Sequence, residues 1–262
     1  MATSNGRKRG TQMKPSVNIS KITPPSLPQI LSRPRLLDIL EKNENKKIIA
    51  ILGQAAQGKT TLAVSHVQRS KIPSAWIHLD KEGSDPLAFF HSLAQSLQYV
   101  LKDIDFSHLL SFPMAKMQSK EEIPLFRDWA RSLFALISSP LQIVLESLED
   151  LSSDAPAFKL LQILVEDTPP NVHWIMLSRE VPPFPLEFQR SKIRQEALVL
   201  TNEELAFTLD ETREFFKKIR KIPFNAGQLK KIHSATEGWV GGLILLSEAL
   251  SRVSEPSRCV FR

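Results

Sequence analysis

Short apolar runs alternate with amphipathic stretches over most of this chain. Ile48-Ile-Ala-Ile-Leu52 follows a charged entry at Lys46 and ends at Gly53, the pattern of a strand buried on both faces. Similar runs occur at Ala75–Leu79, Leu141–Leu145 and Val172–Leu177, with a weaker one at Ala197–Leu200. Between them the spacing predicts helices over Arg33–Asn43, Lys59–Ser70, Asp85–Leu101, Ile123–Ser138 and Ala155–Glu166. Strands alternating with helices of this length imply βαβ units and a mainly parallel sheet. Residues 103–120 interrupt the alternation and read as a loop or small insertion. After Thr201 only helical spacing remains, at Asp210–Ile222, Asn225–Thr236 and Trp239–Val253, punctuated by Pro223 and Gly238. Three parts are therefore expected: a disordered basic tail over 1–28, an α/β domain over 29–200, and a small all-helical subdomain over 201–262.

Composition changes this picture little. With 262 residues, 42% hydrophobic and 24% charged, the chain is ordinary for a globular protein, and no apolar run reaches the roughly 18 residues of a membrane-spanning helix. The single cysteine, Cys259, excludes an internal disulfide and reads as an incidental thiol; no secretory leader is seen. A cytoplasmic location is expected. Residues 1–47 hold ten Lys/Arg against three Asp/Glu, a net of +7, which leaves about −1 on the rest of the chain, so the basic excess is confined to the N-terminal part. A basic excess confined there does not point to a nucleic-acid-binding fold.

The chemistry lies directly after the first strand. Gly53-Gln54-Ala55-Ala56-Gln57-Gly58-Lys59-Thr60-Thr61 satisfies G-x-x-x-x-G-K-[ST] between a strand and a helix. Its glycines permit a tight loop whose N–H groups face a phosphate chain, Lys59 supplies a point charge, and the Thr60 hydroxyl can ligate Mg²⁺. Nucleoside triphosphate binding follows. A partner carboxylate is expected at the end of a neighbouring strand, and Glu146 of Leu141-Gln-Ile-Val-Leu-Glu146 fills that place. Glu is one methylene longer than the usual Asp, and Ser147 stands where a second acid is common. Glu149 and Asp150 either substitute for it or begin the next turn. Arg179, after the Val172–Leu177 run, can read a γ-phosphate from the carboxyl edge of the sheet or form a surface ion pair. The six histidines show no metal-ligand spacing, and Trp76, Trp129, Trp174 and Trp239 read as packing residues.

Taken in order, Arg33-x-Arg35-Leu36-Leu37, Gly53–Thr61, Ala75-Trp-Ile-His-Leu-Asp80, the run to Glu146, Leu177-Ser178-Arg179 and Glu237-Gly-Trp-Val-Gly-Gly-Leu243 resemble the STAND class of signal-transduction P-loop ATPases. The likeness is closest to the nucleotide-binding module of the LuxR-type regulators that include the bacterial maltose-regulon activator. It implies a P-loop NTPase sheet flanked by helices and followed by a helical lid. It further implies ATP and ADP as ligands with Mg²⁺, adenine against Ile30–Arg35 with Arg35 in the binding set, Arg179 as γ-phosphate sensor, and self-association or partner binding in the ATP state. Family members carry Asp at the Glu146 position, an acid or Asn at Ser147, and a Gly-x-Pro in the lid where this chain has no proline. Binding is therefore expected, and hydrolysis is left open. No winged-helix, repeat or DNA-binding segment follows Gly238–Leu243 in this sequence, so no DNA contact is expected of it. The resulting expectation is an ATP/ADP-binding switch with weak Mg-dependent ATPase activity. The alternatives are a catalytically silent nucleotide-binding module and a AAA+-like remodelling ATPase.

Overall fold

The computed structural model describes residues 18–27, 29–80, 85–106, 123–152, 154–181 and 187–251. Five strands, β1 Ile48–Leu52, β2 Ser74–His78, β3 Leu141–Glu146, β4 Val172–Ser178 and β5 Ala197–Leu200, form one sheet in the order β2-β3-β4-β1-β5. Every neighbouring pair is parallel. The expected α/β architecture, a P-loop sheet flanked by helices, is thus present.

Alternate residues of each strand feed opposite cores, as a pleated strand demands. Ile48, Ala50, Ile143, Trp174 and Met176 face one layer, with α4 Pro86–Val100, α5 Ile123–Ala135 and α6 Pro156–Glu166 over them. Ile49, Ile51, Val144, Ile175 and Leu177 face the other, beneath α2 Pro34–Lys42 and α3 Lys59–Arg69. Both faces being covered, β1 and β4 are buried along their whole length, which is why they read as unbroken apolar runs. Prolines at the first helical turn start α2, α4 and α6, where the missing N–H costs nothing. At α4 the Asp85 carboxylate also accepts from the Ala88 N–H at 2.9 Å.

Before β5, two short helices have no counterpart in the sequence pattern. Within the segment expected to be a tail, α1 Ile19–Ile22 buries Ile22 and lies beside β2 and α4. Helix α7 Glu187–Ile193 buries Phe188 before β5. Helices this short offer too few turns for a 3.6-residue period to register. Residues 1–17 of the tail expected over 1–28, most of the 103–120 insertion, the end of the last helix and Cys259 lie outside the described residues.

Beyond β5, no strand occurs among the described residues. Helix α8 Asn202–Leu205 and helix α9 Leu209–Glu214 each open with a reciprocal capping box, Thr201 with Glu204 and Thr208 with Glu211. The helix expected over Asp210–Ile222 is not uniform. It widens into π geometry over Phe215–Arg220, where the adjacent Phe215 and Phe216 are both buried, and it stops at Lys221 with φ 56°. Helix α10 Ala226–Thr236 and helix α11 Val240–Ser251 complete this part, around Phe207, Phe216, Leu229, Ile232 and Leu243. Among the described residues no helix is long and apolar enough to cross a membrane.

His66 of α3 is packed at 1% exposure between helix and sheet, its Nε2 3.4 Å from the Gln142 side-chain nitrogen and its Nδ1 without a partner. Burial, aided by nearby Arg69, pushes its pKa down from 6.5 to about 4. The unfolded chain therefore takes up this proton first as pH falls. Stability is full above pH 6.5 and declines between 6.5 and 4, by about 3 kcal/mol in total for this group. Denaturant melts across that range should show the loss, and a His66→Leu variant should show a shallower pH slope.

Candidate functional site

Parallel pairing aligns the carboxyl ends of β1, β3 and β4 along one edge: Leu52 is level with Ser178, and Leu145 with Met176. Whatever follows those strands must share that edge. The loop 53–58 does so, returning into α3 through Gly58, whose φ of +88° lies in the left-handed region that favours glycine. A Cβ on Gly58 would meet nothing within 4 Å, so its requirement is conformational. At Gly53 it is spatial, because a Cβ would come within 3.0 Å of Asn202 Oδ1 and Leu205 Cδ1. No side chain caps α3, so its first N–H groups remain turned toward the loop.

Lys59 folds back over the loop and donates to the Gly53 and Gln54 carbonyls at 2.6 and 2.9 Å. Its ammonium is half-buried, and that desolvation holds its pKa below the usual lysine value. Glu149 opposes the shift, Arg179 adds to it, and Glu146 opposes it more weakly. These four charged groups thus surround one place. Thr60 Oγ1 donates to Glu146 Oε1 at 2.5 Å, so the helix hydroxyl and the strand-end carboxylate meet as two hard oxygen donors. Glu146 is further held through Oε2, which accepts from Trp76 Nε1 at 3.1 Å and lies 3.3 Å from His78 Nδ1, both on β2.

Past Glu146, Ser147 adopts φ 61° and a single 3-10 turn, Leu148–Asp150, swings Glu149 toward β4. There Glu149 Oε1 pairs with Arg179 Nε at 2.9 Å and Oε2 accepts the Arg179 backbone N–H at 3.1 Å. Of the two acids left open by the sequence, Glu149 meets the arginine, and Asp150 is exposed.

A cavity of about 400 Å³ adjoins the loop at Gly58 and Thr61. Leu27, Ile30 and Leu31 wall it on one side and Phe207, Phe215 and Val240 on the other, so both the segment before α2 and the helical part contribute. Of the two arginines in the Arg33-x-Arg35 pair, Arg33 lines this cavity and Arg35 does not. Arg33, 6% exposed, stands over the Phe207 ring and donates to the Ala206 carbonyl and Glu211. Arg35 is partly exposed on the outer side of the same junction, bonded to Glu204 O, Ala206 O and Glu211. Burial disfavours the Glu211 carboxylate, but hydrogen bonds from Arg33 and the Thr208 N–H keep its pKa below the ordinary range.

The structure therefore brings together Gly53–Thr61, Glu146 and Arg179, and places Arg35 apart. It adds Asn202, which the sequence pattern does not single out, gives Arg33 and Glu149 definite partners, and draws in Trp76 and Trp239, which the sequence reads as packing residues. The indoles of Trp76 and Trp239 do more than pack, since each N–H bonds a group of this site: Glu146 and the Ala55 carbonyl.

With this geometry established, comparison with known proteins places the chain. Residues 26–179 match the family described as nephrocystin 3, N-terminal, over more than half of the sequence. The chain belongs to that family. It is also similar to the HTH-type transcriptional regulator MalT of Vibrio parahaemolyticus, 26% identical over 232 residues, and to that of Yersinia enterocolitica, 28% identical over the same length. Each alignment covers 87% of this chain but 25% of the relative, so the chain spans about a quarter of the length of the curated relatives it matches. In structure it is similar to a Walker-type ATPase of Pyrococcus abyssi, with TM-score 0.54, 15% identity, and 87% of this chain and 69% of that one covered. A STAND protein with a tetratricopeptide repeat sensor from Pyrococcus horikoshii aligns with the same TM-score at 16% identity, over 88% of this chain and 34% of that one. These matches agree with the STAND-class P-loop resemblance carried by the sequence motifs.

Proposed function

We propose that the chain is an ATP- and ADP-binding molecular switch with weak Mg-dependent ATPase activity, the nucleotide-binding module of a STAND-type signalling or transcription regulator. One observation carries this reading. The loop that carries Lys59 opens at Gly58 and Thr61 into an apolar cavity walled jointly by the sheet domain and the helical part. A nucleotide with phosphates at the loop and base in the cavity would touch both, and its phosphate count would bias how they sit.

Within that reading, Lys59 and the loop amides hold the phosphates, and Arg179 lies at the strand edge where a γ-phosphate would extend. Thr60 and Glu146 suit Mg²⁺, an ion that takes oxygen donors and shares them with substrate phosphates. When bound, the ion would neutralise charge developing on the terminal phosphate. Adenine as the base, a cytoplasmic location, and self-association or partner binding in the ATP state belong to the same proposal, drawn from the resemblance. A second reading, binding without turnover, is favoured by one arrangement. Glu146 is already engaged by Thr60, Trp76 and His78, Glu149 is engaged by Arg179, and Ser147 provides no further acid.

Titration with Mg-ATP and steady-state phosphate release separate the readings. The wild type should bind Mg-ATP, and Glu146→Gln should reduce its Mg²⁺-dependent gain in affinity by about tenfold. Slow release abolished by Glu146→Gln supports the switch with turnover; tight binding without release supports the silent module. A folded wild type that takes up neither ATP nor ADP removes the nucleotide reading altogether.

A further inference from the structure

Trp239 immediately precedes α11, its ring beside the Gly241-Gly242 pair. Its indole N–H donates to the Ala55 carbonyl of the phosphate loop at 3.1 Å, across 184 residues of sequence. Gly241 is what lets the ring lie there: a Cβ on it would come within 2.6 Å of the indole and 2.9 Å of the Ala56 Cβ. Asn202 braces the same loop, accepting the Gln54 N–H at 2.9 Å and, through its own carbonyl, the Gln57 side-chain amide at 3.2 Å.

The peptide joining Ala55 to Ala56 explains what this contact does. In a trans peptide the C=O and the N–H that follows it point in opposite directions. Holding the Ala55 oxygen toward Trp239 therefore turns the Ala56 N–H away from it, into the loop. Ala56 itself has φ 56°, a left-handed conformation that a residue with a Cβ adopts at a cost. Such a conformation persists where surrounding contacts hold it, and the indole N–H supplies one of them.

Resting on the nucleotide reading above, we infer that Trp239 is a positioning residue for the phosphate loop: it fixes the Ala55–Ala56 peptide so that the Ala56 N–H serves the phosphates, and thereby links docking of α11 to phosphate binding. Linkage is reciprocal, so phosphate in the loop must in turn strengthen the docking of α11.

The test compares ADP with adenosine, which lacks the phosphates. Trp239→Phe keeps an aromatic ring, smaller than the indole, and removes the donor. It should weaken ADP binding by about five- to tenfold, the range of one neutral hydrogen bond, and leave adenosine binding unchanged. Gly241→Ala, which displaces the indole, should give the same selective loss. In the wild type, ADP should slow hydrogen exchange at the start of α11, and this protection should be absent from Trp239→Phe. Unchanged ADP affinity in Trp239→Phe, an equal loss for adenosine, or ADP protection of α11 that survives the substitution each overturns the inference alone. A folded wild type that binds neither probe overturns the nucleotide reading and the inference with it.

Discussion

Lys59→Ala is expected to weaken Mg-ATP affinity by about a hundredfold or more, the scale on which truncating one partner of a close charge pair is felt. Among the described residues, the hydrogen bonds of the Lys59 ammonium go to the Gly53 and Gln54 carbonyls, at 2.6 and 2.9 Å. Its half-buried charge is held at a desolvation cost that Glu149 and Glu146 offset only in part, as the lowered pKa shows. Removing it should therefore leave the stability of the nucleotide-free protein nearly unchanged. A phosphate chain in the loop, by contrast, loses the one cation that the loop itself supplies. Thermal melts test both halves at once. Nucleotide at a hundred times its dissociation constant adds about 2.7 kcal/mol to wild-type stability, and that gain should fall to about 0.4 kcal/mol or less in Lys59→Ala while the unliganded midpoints coincide. A variant that binds within a few-fold of wild type would place the phosphates elsewhere.

Gly238→Ala should destabilise the helical part by about 2–3 kcal/mol. Two effects add. Gly238 has φ +73°, where an alanine is strained by roughly 1 kcal/mol or more. Its Cβ would also lie 2.3 Å from the Phe207 carbonyl oxygen and 2.8 Å from the Phe207 nitrogen, and backbone cannot step aside as a flexible side chain can. The pairing of the Phe207 N–H with the Gly238 carbonyl at 2.9 Å would break. Phe207 is the ring beneath Arg33 in the cavity wall, so the damage should spread from the helical core to the nucleotide. A midpoint about 5–10 °C lower, with weakened nucleotide binding, is the expected result. A midpoint within a degree of wild type would show that this junction is free to move.

Much of the site was legible in the sequence because its chemistry is contiguous. Gly53–Thr61 carries its turn, its cation and its hydroxyl within nine residues, flanked by a strand and a helix that their own periodicities announce. The alternation of apolar runs with amphipathic stretches likewise pointed to a parallel sheet, and a parallel sheet lines up its strand ends, so Glu146 and Arg179 had to share an edge with the loop. Local pattern cannot say which strands are neighbours. Only the order β2-β3-β4-β1-β5 puts Trp76 and His78 beside Glu146, and turns a tryptophan that reads as packing into a hydrogen-bond donor to the site.

The same limit separates Arg33 from Arg35. Two residues apart and alike in charge, they differ only in what the rest of the chain packs around them: Phe207 and the cavity for one, the outer rim of the junction for the other. Trp239 and Asn202 reach the loop from more than 140 residues away, through hydrogen bonds that leave no period or composition behind. The sequence by itself determined the phosphate chemistry and the class of sheet, because both rest on neighbours along the chain. Which side chains brace that chemistry, and which arginine faces the cavity, was decided by tertiary packing, because those contacts exist only once distant segments have met.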